Sequence, residues 1–117
     1  MSQFNIGSKA FTAGVVLEPY RRVKLSTGSG SQVEYAGAGE DFIGFTAAKA
    51  DQGASVSVDL RTSGRTFKMT AAGIIAAGGV FYGAADGKIS ATVSGSIQGK
   101  VLEGSGADGE IVEGLTV

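Results

Sequence analysis

The segment Ala54-Ser55-Val56-Ser57-Val58-Asp59-Leu60-Arg61 reads as a β-strand before anything else is known of the chain. Val56, Val58 and Leu60 alternate with Ser55, Ser57, Asp59 and Arg61, and a period of two sends the two sets to opposite faces of an extended backbone. One face is buried and the other wet. Phe67 and Met69 repeat the pattern, and further short β-favouring stretches lie at 22–26, 32–36, 42–46, 65–70, 80–83, 88–93, 97–103 and 110–117. Turn signals separate them: Thr27-Gly28-Ser29-Gly30, Gly37-Ala38-Gly39, Asp51-Gln52-Gly53, Ser63-Gly64, Asp86-Gly87, Ser94-Gly95 and Asp108-Gly109. A strand about every ten residues is the spacing of a compact barrel or sandwich. Only Ala71 to Ala77 predicts a helical turn, and Gly73 and Gly78, at about 1 kcal/mol each against Ala, keep it to that.

The two halves match one another in order. Ala13-Gly14-Val15-Val16 corresponds to Ala72-Gly73-Ile74-Ile75, Val23-Lys24-Leu25 to Val80-Phe81-Tyr82, and Val33 to Ile89. Farther on, Ile43-Gly44 corresponds to Gln98-Gly99 and Ala50-Asp51-Gln52-Gly53 to Ala107-Asp108-Gly109. Ala, Gly and Val are frequent enough for some matches to be accidental, but their order predicts an internal duplication. The expectation is one all-β domain over 12–117, built of similar halves at about 12–60 and 70–115 that share one core. Val23, Leu25, Val33, Val56, Val58, Val80, Ile89 and Val112 are expected inside it. Residues 1–11 lie outside the repeat as an extended N-terminal arm, in which Phe4, Ile6 and Phe11 punctuate small or polar residues. Such a strip either adds to a partner's sheet edge or folds back as an edge strand of its own domain.

Composition narrows the chemistry. A chain of 117 residues, 43% apolar, builds one modest core, and twenty glycines against the single Pro19 mark many tight turns. Ten basic residues nearly cancel eleven acidic ones, so the field that non-specific nucleic-acid binding requires is missing. Without cysteine there is no disulfide, thiolate nucleophile or Cys-ligated zinc; without histidine the commonest metal ligand and the usual neutral-pH base are missing too. The first ten residues carry Lys9 and no apolar run, so no secretory signal is expected and synthesis is placed in the cytoplasm. The longest uncharged run, between Lys68 and Asp86, is shorter than the ~20 residues of a membrane helix and is broken by glycines.

No catalytic, cofactor or metal site is expected. Gly83 to Lys88 and Gly95 to Lys100 look like phosphate loops but have three residues between the glycines where four are needed, and Ile89 or Val101 replaces the magnesium-binding hydroxyl. Glu40 and Asp41 are neighbours on an extended chain and so point apart, which prevents an acid and base pair. Asp108-Gly109-Glu110 offers too few oxygens for a calcium loop. Arg21, Arg22 and Lys24 beside Tyr20 form the one basic cluster, either an anion or partner site or a solvated strand edge protected by charge. From Val101 onward Glu103, Asp108, Glu110 and Glu113 stand without a base, a polarity suited to drawing copies head to tail.

The run Tyr20-Arg21-Arg22-Val23-Lys24-Leu25, then Val33-Glu34-Tyr35-Ala36, Phe42-Ile43-Gly44-Phe45 and 53–58, resembles the capsid cement, or head decoration, proteins of tailed bacteriophages. The second half continues the resemblance through 71–78, Val80-Phe81-Tyr82, 84–89 and 109–113, so that it covers roughly 10–115. It implies a small duplicated short-stranded barrel of β-clip or β-tulip type, without enzymatic activity. It further implies a protein that binds the major capsid protein on the outside of an expanded head, as a homotrimer, and stabilises contacts between capsid subunits. Its place is then the virion exterior, with no membrane and no direct nucleic-acid partner. From the residues themselves, the candidates for capsid or subunit contact are Phe4, Ile6, Phe11, Tyr20, Arg21 and Arg22. The alternative is a non-viral β-clip-like module that binds a sugar or other small ligand in an aromatic-lined pocket; the scattered aromatics do not predict one. A β-clip nucleotide hydrolase stands third, without visible metal or phosphate motifs.

Overall fold

The computed structural model describes residues 8–63 and 66–116, Ser63 by its backbone alone. Alternating sequence and frequent turns give ten strands: β1 (Ser8–Ala13), β2 (Arg22–Leu25), β3 (Gln32–Tyr35), β4 (Gly44–Thr46), β5 (Ser55–Leu60), β6 (Phe67–Ala72), β7 (Val80–Gly83), β8 (Ile89–Ser90), β9 (Gly99–Val101) and β10 (Asp108–Thr116). They close into two barrels, β1-β3-β2-β4-β5 and β10-β6-β8-β7-β9. The fold is all-β, as expected. Among the described residues the helical turns are two 3-10 turns, Arg61–Ser63 and Ala85–Gly87. The turn expected over Ala71 to Ala77 is absent: β6 runs through Ala72, and Ile75 bridges Ser105 instead.

The duplication is complete at the level of topology. In barrel 1, β1 runs parallel to β3 and antiparallel to β5, β2 lies between β3 and β4, and β4 pairs with β5. In barrel 2, β6 runs parallel to β8 and antiparallel to β10, β7 lies between β8 and β9, and β9 pairs with β10. Every strand of one barrel has its counterpart in the other, in the same order.

The pairings also correct the register expected between the halves. Val23 faces Gly44 as Phe81 faces Gly99, Leu25 faces Val33 as Gly83 faces Ile89, and the Leu17–Ala50 bridge recurs as Ile75–Ser105. Val23 therefore corresponds to Phe81, not Val80; Leu17, not Val16, corresponds to Ile75; and Ala50 corresponds to Ser105. A slip of one residue in a strand exchanges its faces. That is why Val80, expected inside, is 39% exposed while Phe81 is buried. Leu25, also expected inside, is 39% exposed because it ends β2 at the barrel mouth, where its counterpart is Gly83. Val23, Val33, Val56, Val58, Ile89 and Val112 are buried as expected.

Residues 8–11, assigned to an arm by sequence, fold back as a strand of their own domain. β1 begins at Ser8 and pairs with β5 from Ser8–Asp59 to Thr12–Ser55, so residues 8–11 belong to barrel 1 and Phe11 is part of its core. Phe4 and Ile6 lie outside the described residues. The halves do not share one core, because each barrel closes around its own: barrel 1 packs Phe11, Ala13, Leu17, Val23, Val33, Val56 and Val58 together. The cluster of barrel 2 gathers Phe67, Met69, Ile75, Phe81, Ile89, Val101 and Val112, and takes in Ala36, Phe42 and Phe45 from barrel 1. Those three residues mark the seam.

Candidate functional site at the seam between the barrels

Arg22 on β2 faces Phe45 on β4, both on the outside of barrel 1. On a lone barrel they would be wet, but barrel 2 covers them, leaving Arg22 0% and Phe45 1% exposed. Phe45 stacks at 5.2 Å on Phe67 of barrel 2 and on the edge of Phe42. The Arg22 guanidinium donates to five backbone carbonyls: from Nε to Lys88 (3.0 Å), from Nη1 to Glu40 (3.2 Å), and from Nη2 to Ala36 (3.1 Å), Gly37 (3.0 Å) and Ala84 (2.6 Å). Three acceptors belong to barrel 1 and two to barrel 2, so one rigid fork of donors ties them together. Gly83 makes the room: a Cβ there would lie 2.8 Å from the guanidinium. Burial lowers the Arg22 pKa to about 10, the nearby Glu40 charge opposing the shift, and the group stays protonated at neutral pH. Arg22, a contact candidate by sequence, thus presents no surface to a partner.

Glu40 closes one rim of the seam. Its carboxylate accepts from Lys24 Nζ (2.7 Å) and from the Gly37 N–H (2.6 Å), while its carbonyl accepts from Gln98 Nε2 of barrel 2 (2.8 Å). Asp41 turns the other way, to Arg61 (2.6 Å), so the adjacent carboxylates part company as their positions require. The Lys24 hydrogen bond and then the Gly37 N–H hold the Glu40 carboxyl below the ordinary carboxylate pKa, and the hydrogen bond to Glu40 raises Lys24 in turn. A lowered carboxyl pKa contributes stability that is full above the unfolded-state value and is lost as pH falls through the folded one. The melting temperature of the wild type should therefore exceed that of Glu40→Gln at neutral pH, and the gap should close on acidification below the ordinary carboxylate range. A gap that persists unchanged into strong acid would show that the carboxylate charge is not its source.

Tyr20 and Arg21 occupy the other rim. Tyr20 holds φ +61°, a left-handed conformation costly for a bulky residue; its N–H donates to the Thr46 carbonyl (2.8 Å) and its carbonyl accepts from Thr70 N–H of barrel 2 (3.0 Å). Lys68 Nζ sits 5.8 Å from the Tyr20 ring centroid. Arg21 donates to the Asp86 carbonyl across the seam (3.0 Å) and lies over Tyr35 at 5.7 Å. The structure brings Tyr20 and Arg21 together, half-buried at a rim, and separates them from Phe11.

Two clefts open along the seam. One, of about 380 Å³, is lined by Ser8, Tyr20, Asp59, Thr66, Lys68 and Glu113. In it Asp59 accepts from Ser8 Oγ (2.8 Å) and Glu113 from Thr66 Oγ1 (2.7 Å). The other, of about 350 Å³, lies between Gly39, Asp41, Arg61, Ser96, Ile97 and Gln98. Among the described residues no group of three or more Asp and Glu side chains is placed to hold a metal ion, and no helix is long and apolar enough to cross a membrane. Sequence reasoning missed Glu40, Phe42, Phe45 and Gln98 as seam residues. The signal it held was Gly83, where a Cβ would meet the Arg22 guanidinium, and Gly87, where one would meet the Arg22 backbone.

Two like barrels in tandem, the outer face of the first sealed by the second, define the class of fold. The same fold is found in the crystal structure of the head fiber gp8.5 N base of bacteriophage phi29, with a TM-score of 0.77 over 94% of this chain and 92% of that one. The sequences are 18% identical, so the likeness is one of fold. No family model matches the chain, and no curated protein does.

Proposed function

We propose that the chain is a structural, non-catalytic protein of a tailed-phage head, a cement or decoration protein that binds the outside of the expanded shell. There, as a homotrimer, it stabilises contacts between subunits of the major capsid protein. The observation that carries this reading is the fold shared along nearly the whole chain with the base of a phage head fiber. The architecture suits the role. Closed barrels leave no strand edge to recruit stray chains, and Arg22 makes a rigid body of the pair. A body that bridges several subunits stabilises the assembled shell by mass action, and many copies multiply small gains.

Phe4 and Ile6, with the Tyr20 and Arg21 rim, are proposed as the grip on the capsid. The test is cosedimentation of the purified protein with genome-expanded heads of the phage that encodes it, where saturable binding is expected. Deleting residues 1–7 should spare β1, leave the melting temperature nearly unchanged and weaken head binding about tenfold, roughly 1.4 kcal/mol. Deleting residues 1–10 instead removes the Ser8–Asp59, Lys9–Val58 and Ala10–Ser57 pairings and should lower the melting temperature as well. Unchanged binding after the shorter deletion would move the grip to Tyr20 and Arg21. No binding by the intact protein would defeat the proposal.

A further inference from the structure

The pairings place Val80 and Lys100 of barrel 2 where Arg22 and Phe45 stand in barrel 1. Ile97, two residues before Gly99, stands where Phe42 does, two residues before Gly44. Arg22, Phe42 and Phe45 are buried beneath barrel 2, whereas Val80, Lys100 and Ile97 are exposed, Ile97 by 46%. Leu102 and Leu115 flank them and are exposed too. One and the same barrel face is covered in the first unit and bare in the second.

The complementary surface shows the reverse. Barrel 2 covers Arg22 with Gly83 and with the turn from Ala84 to Lys88, whose ends are joined by the Ala84 N–H on the Lys88 carbonyl (2.9 Å). Barrel 1 has the same construction in Leu25 and the turn from Ser26 to Gln32, joined by the Ser26 N–H on the Gln32 carbonyl (2.8 Å). Among the described residues nothing covers this surface: Leu25, Thr27, Gly28, Ser31 and Gln32 are exposed. The chain therefore makes one barrel-to-barrel contact within itself and carries an unmatched half of that contact at each end.

We propose that the bare β7–β9–β10 face of barrel 2 docks on the Leu25 end of barrel 1 in a second copy, repeating between chains the packing that joins the barrels within one. The occupant is this chain itself because each end carries the half of the contact that the other lacks, and at the arginine position the side chains compensate. Within the chain a large Arg22 meets Gly83; between chains Val80 meets Leu25, a smaller residue against a larger one at the same place. The buried guanidinium and its desolvation are absent from this version, and Ile97, Leu102 and Leu115 supply apolar area. Lys100 and Lys9 stand where Phe45 and Phe67 do, a like-charge pair that makes the contact weaker and lets salt strengthen it. Such a contact joins unlike surfaces, so it propagates from copy to copy and terminates when the rotation closes a ring. The inference rests on the internal repeat and stands or falls apart from the capsid reading.

Sedimentation of the full chain over a range of concentrations tests it. The wild type is expected to assemble, and Val80→Glu and Leu25→Lys, both at exposed positions, are each expected to weaken assembly at least about tenfold without changing the melting temperature. Carrying both substitutions on one chain should restore assembly, because each contact then joins the new acid of one copy to the new base of the next. A contact that paired like surfaces would leave the double variant as weak as Val80→Glu, and that result would overturn the proposal. So would a wild type that remains monomeric to about 1 mM, the weak end of specific association, or a Val80→Glu variant that assembles as the wild type does.

Discussion

Replacing Arg22 with Met should cost about 3 kcal/mol of stability, a hydrogen bond to a charged group being worth about 1.5–3 kcal/mol. Met approximates the length of the side chain but donates nothing, and the five carbonyls that converge on the guanidinium lose their shared donor. The carbonyls of Ala36, Gly37 and Lys88 retain backbone donors, from Gly87, Glu40 and Ala84 N–H, and that of Glu40 retains Gln98 Nε2, which keeps the loss from growing larger. Arg22→Lys should recover only part of it, since an ammonium is a point donor and cannot span acceptors spread around a plane. Urea unfolding is the measurement. The denaturant slope should also fall in Arg22→Met, as the barrels cease to unfold as one unit. A loss below about 1 kcal/mol would mean that the aromatic contacts of Phe42 and Phe45 hold the seam without the arginine.

The second large effect is expected at Gly44 and Gly99, which occupy the same place in β4 and β9. A Cβ on Gly44 would collide with the Asp59 carbonyl, and one on Gly99 with the carbonyl of Leu115, the counterpart of Asp59 in barrel 2. Both obstacles are backbone atoms of a neighbouring strand, and they can retreat only by breaking the ladder that closes the barrel. Gly44→Ala and Gly99→Ala should each cost about 3 kcal/mol, the upper part of the usual overpacking range, or roughly 10 °C in melting temperature. Gly99→Ala should be the worse, since its Cβ would also press on the Phe81 ring at 2.6 Å. Melting temperatures within a degree or two of the wild type would show that strand spacing there is softer than it looks.

These glycines show how far the sequence could be read. Strand alternation around Val56 and Val58 and the order of turn signals were sufficient for the class and for the duplication, because both depend on periodicity. The register between halves was not legible, since it turns on Arg22 and Val80, unlike residues at one position. Matching Val23 to Val80 by chemical similarity was natural and one residue wrong. The seam stayed hidden for the same reason. An arginine in Tyr20-Arg21-Arg22 reads as surface charge when considered alone, and what makes it an interior residue is the absence of side chains at Gly83 and Gly87, far along the chain. Phe11 was misplaced because it is the one large apolar residue of β1, too few to show the alternation of a strand.

The order of synthesis gives the seam a direction. All five strands of barrel 1 precede those of barrel 2, so the first barrel has its whole complement of pairings as soon as β5 leaves the ribosome. Arg22 at that moment lacks the carbonyls of Ala84 and Lys88, which lie 62 and 66 positions downstream, and Phe42 and Phe45 face the solvent beside it. A nascent chain at this stage displays an aromatic face that fits any finished barrel 2, including one on a neighbouring nascent chain. Barrel 2 arrives on a short tether after β5, at high local concentration, and intramolecular capture is favoured over exchange between chains. Lengthening that tether would shift the balance toward chains that trade their second barrels.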